Sequence, residues 1–336
     1  MPDLSKLTDE ALLALRFKDL PVRIEGTWLE ERVFALYREL SARGINFKPR
    51  CYLADEWLCP DGEPIIGIAF FLAHPRLKRL EKKMMLEVEG GDRTSCMQLL
   101  RHETGHALNY AYLLHRRKKW KQLFGEFHSE YPDRYRYRPY SKRFVRHLDE
   151  WYAQYHPDED FAETFAVWLD PESDWRRKYT GWKAMDKLLY VEALMKDIGG
   201  KAPRKPTGRK YWDIYGMKGT LRTYYKRKTA FYAEYYPDFH DFHLKRIFRS
   251  RKGAGSVKAA AVLRRHRRAI VDYVSFCTGE KKYIINGLLG DLVRRAEELR
   301  LCDRPEKSDS VMKTAAYVTS LAMNYLYTGR FKKERR

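Results

Sequence analysis

The stretch RHETGHALNY, Arg101 to Tyr110, sets two histidines four residues apart and a glutamate directly after the first. On a helix, positions four apart point in nearly the same direction, one turn above the other, so His102 and His106 can share one cation. Glu103 then points beside that cation without ligating it, where it can take a proton from water. Hydrolysis at a zinc centre needs this arrangement of protein ligands, an open position and a carboxylate base. Spacing alone leaves a second reading open, two histidines that share a helix face by chance, and only a third ligand separates the two. Thr104 and Gly105 are small, which lets another segment approach closely.

Flanking residues put this stretch inside a helix. Ser95 and Gln98 have capping-box spacing, no proline interrupts SCMQLLRHETGHALNYAYLLHRR, and basic residues gather at its C-terminal side, where the helix dipole favours them. Upstream, TWLEERVFALYRELSARG opens with Thr27 and Glu30 in capping-box spacing and ends on Gly44, which predicts another helix. FKPRCYLADEW, a turn at CPDGEP and IIGIAFFLAHP predict a strand-turn-strand unit. Downstream, in HPDEDFAETFAVWLDP, Pro157 suits a first helical turn, Asp158, Glu159 and Asp160 complement its positive end, and Pro171 stops it.

Several residues compete for the third ligand position. A metzincin would carry glycine and histidine at 109 and 112, but these are Asn109 and Tyr112. A thermolysin-like glutamate about twenty residues on would be Glu126, yet the neighbouring glycine in LFGEFHSE argues against it. His115, His128, His147 and His156 sit among basic and aromatic residues, where histidines more often make surface or structural hydrogen bonds. Glu159 is the better candidate.

At this point the chain resembles the gluzincin-type zinc metallopeptidases, in which paired histidines on one helix are completed by a glutamate at the start of a second. The pattern of Glu159, Ala162, Glu163 and Phe165 is similar to the third-ligand helix of anthrax lethal factor and to that of the repressor-cleaving metallopeptidases. The resemblance implies zinc held by His102, His106 and Glu159, with Glu103 as general base. It also implies that Glu163 orients a histidine or the backbone. A tyrosine seven residues before the ligand glutamate would stabilise the developing oxyanion; that position is Tyr152, with Tyr155 a close rival. From about residue 47 to 200 the chain also resembles bacterial proteins described as zinc-binding metallopeptidases. The implied activity is hydrolysis of protein or peptide substrates, with substrate extended along the strand at IIGIAFF.

Charge divides the chain. Residues 1–200 hold 33 Lys and Arg against 32 Asp and Glu, whereas residues 201–336 hold 33 against 13, so the second part carries nearly all of the net +21. GGKAPRKPTGRK, Gly199 to Lys210, has the composition of a linker. The expected organisation is an α+β, zincin-like domain over 1–200, with a small mixed sheet and the active-site helices. A basic, mainly helical domain over 201–336 follows, with helices near 256–276, 281–301 and 308–327. Cations interleaved with aromatics in KYWDIYGMKGTLRTYYKRKTAFYAEYYPDF, and the run LRRHRRAI, are compatible with a polyanion or nucleic acid. Leu221, Tyr225, Tyr232 and Tyr235 recur at near-helical spacing, which favours a core instead. In a peptidase the basic region would select acidic protein substrates or dock the enzyme on a polyanion; alternatively the protein is a nucleic-acid or polyanion binder with a structural or regulatory zincin domain.

Five scattered cysteines without CxxC spacing suggest reduced thiols. The N-terminal stretch MPDLSKLTDEALLALRFKDL mixes acids into its apolar positions, unlike a signal peptide, and no segment approaches a membrane span. A cytoplasmic protein is the expectation.

Overall fold

The computed structural model describes residues 3–131, 138, 141–231, 240–249, 256–303 and 309–328. Among them thirteen α-helices accompany two small sheets, a helix-rich α+β architecture. The chain divides into two compact units, the first drawn mainly from residues up to Tyr225 and the second mainly from Lys226 onward.

In the first unit, α1 (Asp9–Ala14) and α2 (Trp28–Ala42) precede β1 (Arg50–Ala54) and β2 (Ile65–Ala69). Helices α3 (Pro75–Met85), α4 (Arg93–Tyr112), α5 (Lys118–Phe124), α6 (Pro157–Leu169), α7 (Trp175–Lys178) and α8 (Ala184–Ile198) follow, and α9 (Leu221–Phe231) begins in this unit. The centre is the pair α4 and α6, with α2 and β2 against α4 and with α5 and α8 against α6. Both helices are buried nearly all round, α4 from Leu99 and α6 from Asp158, as expected of helices enclosed by other elements. Arg101 braces the arrangement: its guanidinium makes two 2.8 Å bonds to Glu39 on α2 and lies 3.2 Å from Asp170, the C-cap of α6.

Local details depart from the sequence expectations. Asp92, not Ser95, is the N-cap of α4, with Ser95 as its capping-box partner. The helix stops at Tyr112 because Leu113 turns left-handed (φ 52°), so the basic cluster lies beyond it. Thr27 does cap α2, but Glu30 accepts from Gly26 N (2.9 Å) rather than from Thr27. The strand prediction over IIGIAFFLAHP is cut short, since Phe70 to Ala73 form a 3-10 turn.

The sheet differs more. β1 and β2 run parallel, and Leu58 pairs antiparallel with Gly67 across the other side of β2 (Leu58 N to Gly67 O 3.2 Å, Gly67 N to Leu58 O 2.8 Å). The turn at Pro60 to Glu63 therefore joins β2 to the Leu58 stub and not to β1. Every residue of β2 is buried, and Gly67 is flanked on both sides, by Tyr52 of β1 and by Leu58. The expected strand addition of substrate on IIGIAFF is thus blocked at that residue by Leu58.

Residues 199–210 belong to the first unit: Lys205 N donates to Ala111 O (3.0 Å), and Arg209 N to Glu63 (2.9 Å). Leu221 and Tyr225 on α9 are buried, whereas Tyr232 and Tyr235 fall outside the described residues.

The second unit contains α10 (Asp241–Ile247), α11 (Ala259–Thr278), α12 (Lys282–Glu298) and α13 (Asp309–Thr328), with a short antiparallel pair, β3 (Val257–Lys258) and β4 (Cys302–Asp303). Leu263, Ile270 and Val274 of α11 pack with Ile285 and Leu289 of α12 and Val318 of α13 into one apolar core. The three helices foreseen near these positions are present. No described helix is long and apolar enough to cross a membrane.

Candidate metal centre

His102 and His106 occupy successive turns of α4, and Glu159 occupies the first turn of α6, which crosses it closely. Gly105 makes the approach feasible. A Cβ at that position would lie 2.7 Å from Ala162 Cα and 3.1 Å from Ala162 O, closer than a side chain tolerates. The start of α6 is fixed by His156, whose side chain accepts from Asp158 N (3.2 Å), and by Pro157 at the first helical position.

Three ligand atoms converge between the helices. Nε2 of His102 and Nε2 of His106 are 3.1 Å apart, and Oε2 of Glu159 lies 3.1 Å from the first and 3.2 Å from the second. All three residues are buried. The opposite nitrogens are committed: His102 Nδ1 lies 2.9 Å from Glu163 Oε1, and His106 Nδ1 lies 2.8 Å from Asp158 Oδ2. A carboxylate can only accept, so each Nδ1 carries its proton, and in the neutral form of each imidazole the Nε2 lone pair faces inward. Two such lone pairs and a carboxylate oxygen facing one another repel unless a cation, a proton or a metal ion, sits among them.

The spacing fits a small ion. Donors about 2.0–2.1 Å from a tetrahedral zinc lie roughly 3.3 Å from one another, close to the spacing here. Nitrogen and carboxylate donors in this set suit zinc. The charge balance agrees: Glu103, Asp158, Glu159 and Glu163 are all buried around the two imidazoles. Burial alone would lower the His102 pKa, but Glu159 and Glu163 outweigh it and raise it to about 10. Burial likewise opposes ionisation of Glu159, yet the two imidazoles hold its carboxyl well below the usual range. The site draws positive charge.

The surrounding groups hold these ligands in place. Glu163 Oε2 accepts from Leu148 N (3.0 Å). Asp158 also accepts from Tyr110 OH (2.5 Å) and Asn109 Nδ2 (2.7 Å), and Asn109 Oδ1 in turn accepts from His115 N (2.9 Å). Glu103 is buried too, and burial raises its pKa above the ordinary glutamate value against the pull of His102 and His106. Among the described residues it has no hydrogen-bond or ion-pair partner, a buried carboxylate left without protein donors. The Tyr152 ring centre lies 5.6 Å from that of His102, and burial, then the charges of Glu159, Glu103 and Glu163, keep its phenol protonated. Tyr155 stands one ring further out, 5.9 Å from Tyr152.

The rejected candidates are engaged elsewhere. Glu126 is exposed and pairs with Lys121 (3.1 Å). His115 stacks on Phe127 at 4.1 Å, with His128 edge-on to both rings, and His147 Nε2 donates to Gln98 O (2.9 Å). Two contributors escaped the sequence reading. Asp158 looked like a dipole-complementing acid, and nothing in its spacing distinguished it from Asp160. Tyr131, one of many tyrosines, donates through its hydroxyl to Glu159 Oε1 (3.1 Å).

A family model described as "putative zinc-binding metallo-peptidase" matches residues 77–176, a span that includes His102, His106 and Glu159. No curated protein and no solved structure matches the chain.

Proposed function

We propose that this chain is a zinc-dependent peptidase of the gluzincin type, with a zincin-like catalytic domain in the first unit and a basic helical domain in the second. The observation that carries the reading is the inward convergence of two Nε2 atoms and one carboxylate oxygen, each Nδ1 being held by a carboxylate behind it. Zinc bound there supplies a Lewis acid that polarises a carbonyl and brings the pKa of water toward neutrality.

The protein's own groups do the rest. Glu103, without protein donors of its own, accepts the proton of the attacking water and passes it to the leaving amine. Its raised pKa suits both halves of that transfer. Tyr152, kept protonated, donates to the oxygen that gains negative charge as the carbonyl becomes tetrahedral; Tyr155 is the alternative donor. Glu163 and Asp158 hold the imidazoles in the tautomer that presents Nε2. Glu103→Gln should retain zinc and lose turnover, and His106→Ala should lose zinc. The decisive measurement compares new N-termini generated in a proteome by the wild-type protein and by Glu103→Gln. Equal cleavage by both would refute the assigned base.

A second reading, binding of a polyanion through the basic region, is favoured by one observation: Arg264, Arg265, His266 and Arg268 lie on the exposed side of α11. Such binding would weaken steeply with salt. Absence of nucleic-acid binding by the full chain at low salt removes it.

A further inference from the structure

Tyr131 stands out because it is half-exposed yet reaches a buried residue of the candidate site. The ligand residues are 3–5% exposed, whereas Tyr131 is 47% exposed and its hydroxyl reaches Glu159 Oε1 at 3.1 Å. That oxygen is the one not directed at the histidines, since Oε2 makes both contacts with Nε2. One carboxylate is thereby divided between two tasks.

The tyrosine is held firmly for a half-exposed residue. Its ring stacks on His156 with centres 4.0 Å apart and planes 12° apart. His156 Nε2 lies 2.9 Å from Ser129 O, and a carbonyl only accepts, so Nε2 carries the proton. Nδ1 is then free to accept from Asp158 N, as the helix cap requires. The imidazole therefore pins the segment before Tyr131 to the first turn of α6, the turn that also carries Glu159. Ser129 closes the same segment by donating from its hydroxyl to Glu126 O (2.8 Å). The phenol and the glutamate keep one spatial relation as a result.

We infer that Tyr131 is a positioning residue for the metal centre: its hydroxyl occupies Oε1 of Glu159 and so limits that glutamate to a single ligating oxygen. The inference rests on the proposed metal site. A glutamate can bind a cation through one oxygen or both, and at a three-residue site the difference decides whether a coordination position stays open for water or substrate. Without the phenolic proton, Oε1 is free to turn onto the ion and fill that position. Tyr131 would thus maintain reactivity at some expense in metal affinity. It is distinct from Tyr152, whose ring lies beside His102.

The test is Tyr131→Phe, which keeps the stacked ring and removes only the hydroxyl. Both proteins are loaded with cobalt(II), whose visible absorption is stronger in four-coordinate than in five-coordinate sites, and cobalt affinity is measured by chelator competition. The expected result is a weaker, shifted visible band with affinity equal to or tighter than wild type. Turnover should fall roughly tenfold or more at unchanged KM, in the range seen when outer-shell partners are removed. An identical cobalt spectrum in the two proteins overturns the inference while leaving the metal centre intact. A wild-type protein that binds no cobalt overturns the metal centre and this inference together. Because Tyr131 is half-exposed and phenylalanine preserves its stacking, the variant should fold, which its circular dichroism checks.

Discussion

Nδ1 of His106 stands 2.8 Å from Oδ2 of Asp158, the residue immediately before Glu159. Adjacent residues on α6 thus serve opposite faces of one imidazole, Asp158 behind it and Glu159 in front. Consecutive helical positions diverge by about 100°, and His106 fits between them. Asp158 also receives Tyr110 and Asn109, so its two oxygens meet three donors.

Asp158→Asn should therefore be poorly tolerated. An amide presents one acceptor and one donor where three donors converge, and it withdraws the negative charge behind His106. Metal affinity is expected to fall by about 10–100-fold, as for other outer-shell carboxylates, with little change in helix content. Competition against a chelating dye measures it, and wild-type affinity in the variant would contradict the assigned role.

Gly105→Ala tests the crossing of α4 and α6. The added methyl would meet the backbone of Ala162 at 2.7 Å, and a helix backbone cannot rotate away as a side chain can. Overpacking of this kind typically costs about 1–3 kcal/mol. A lowered urea midpoint with an unchanged slope is expected, accompanied by weaker metal binding because the same crossing aligns the ligands. An unchanged midpoint would show that the helices separate at no cost.

Much of this site is local and so was legible in the sequence. A four-residue histidine spacing reports a shared helix face, and proline followed by three acids reports a helix start. The three helices of the second unit likewise announce themselves through apolar periodicity and glycine or charged breaks. What sequence left open depends on partners far along the chain. Asp158 and Asp160 sit two apart in the same acidic turn, yet one faces His106 and the other Lys187. The turn at CPDGEP was correctly located, but local chemistry could not reveal that Leu58, rather than β1, forms the other arm. Leu113 ended α4 without a glycine to signal it.

The Asp160 and Lys187 pair makes a stability test independent of metal. Both side chains are buried, and Lys187 lies 4.3 Å from the Phe144 ring centre. Burial raises the Asp160 pKa to about 7 against the pull of Lys187, and its Oδ1 has no hydrogen-bond partner among the described residues. Lys187→Met leaves that carboxyl without a counter-charge, a change that typically costs about 3–5 kcal/mol. Adding Asp160→Asn removes the orphaned charge, so the double variant should recover part of the loss. Denaturant titration of the four proteins gives the coupling; strict additivity would mean that the pair does not act as one.

His240 gives the second unit a pH dependence of definite sign. It is buried, with Nδ1 3.0 Å from Tyr317 OH. Burial first, then the nearby His243, lower its pKa from 6.5 to about 4, against a smaller opposing pull from Asp241. Below pH 6.5 the unfolded chain takes up a proton that the folded chain refuses until near pH 4. Folding is therefore favoured fully above that window and progressively less as pH falls through it. His240→Gln keeps an acceptor for the tyrosine and removes the titration. Urea midpoints of the full chain across this pH range should fall less steeply for the variant than for the wild type. Parallel curves would show that another group governs the acid limb.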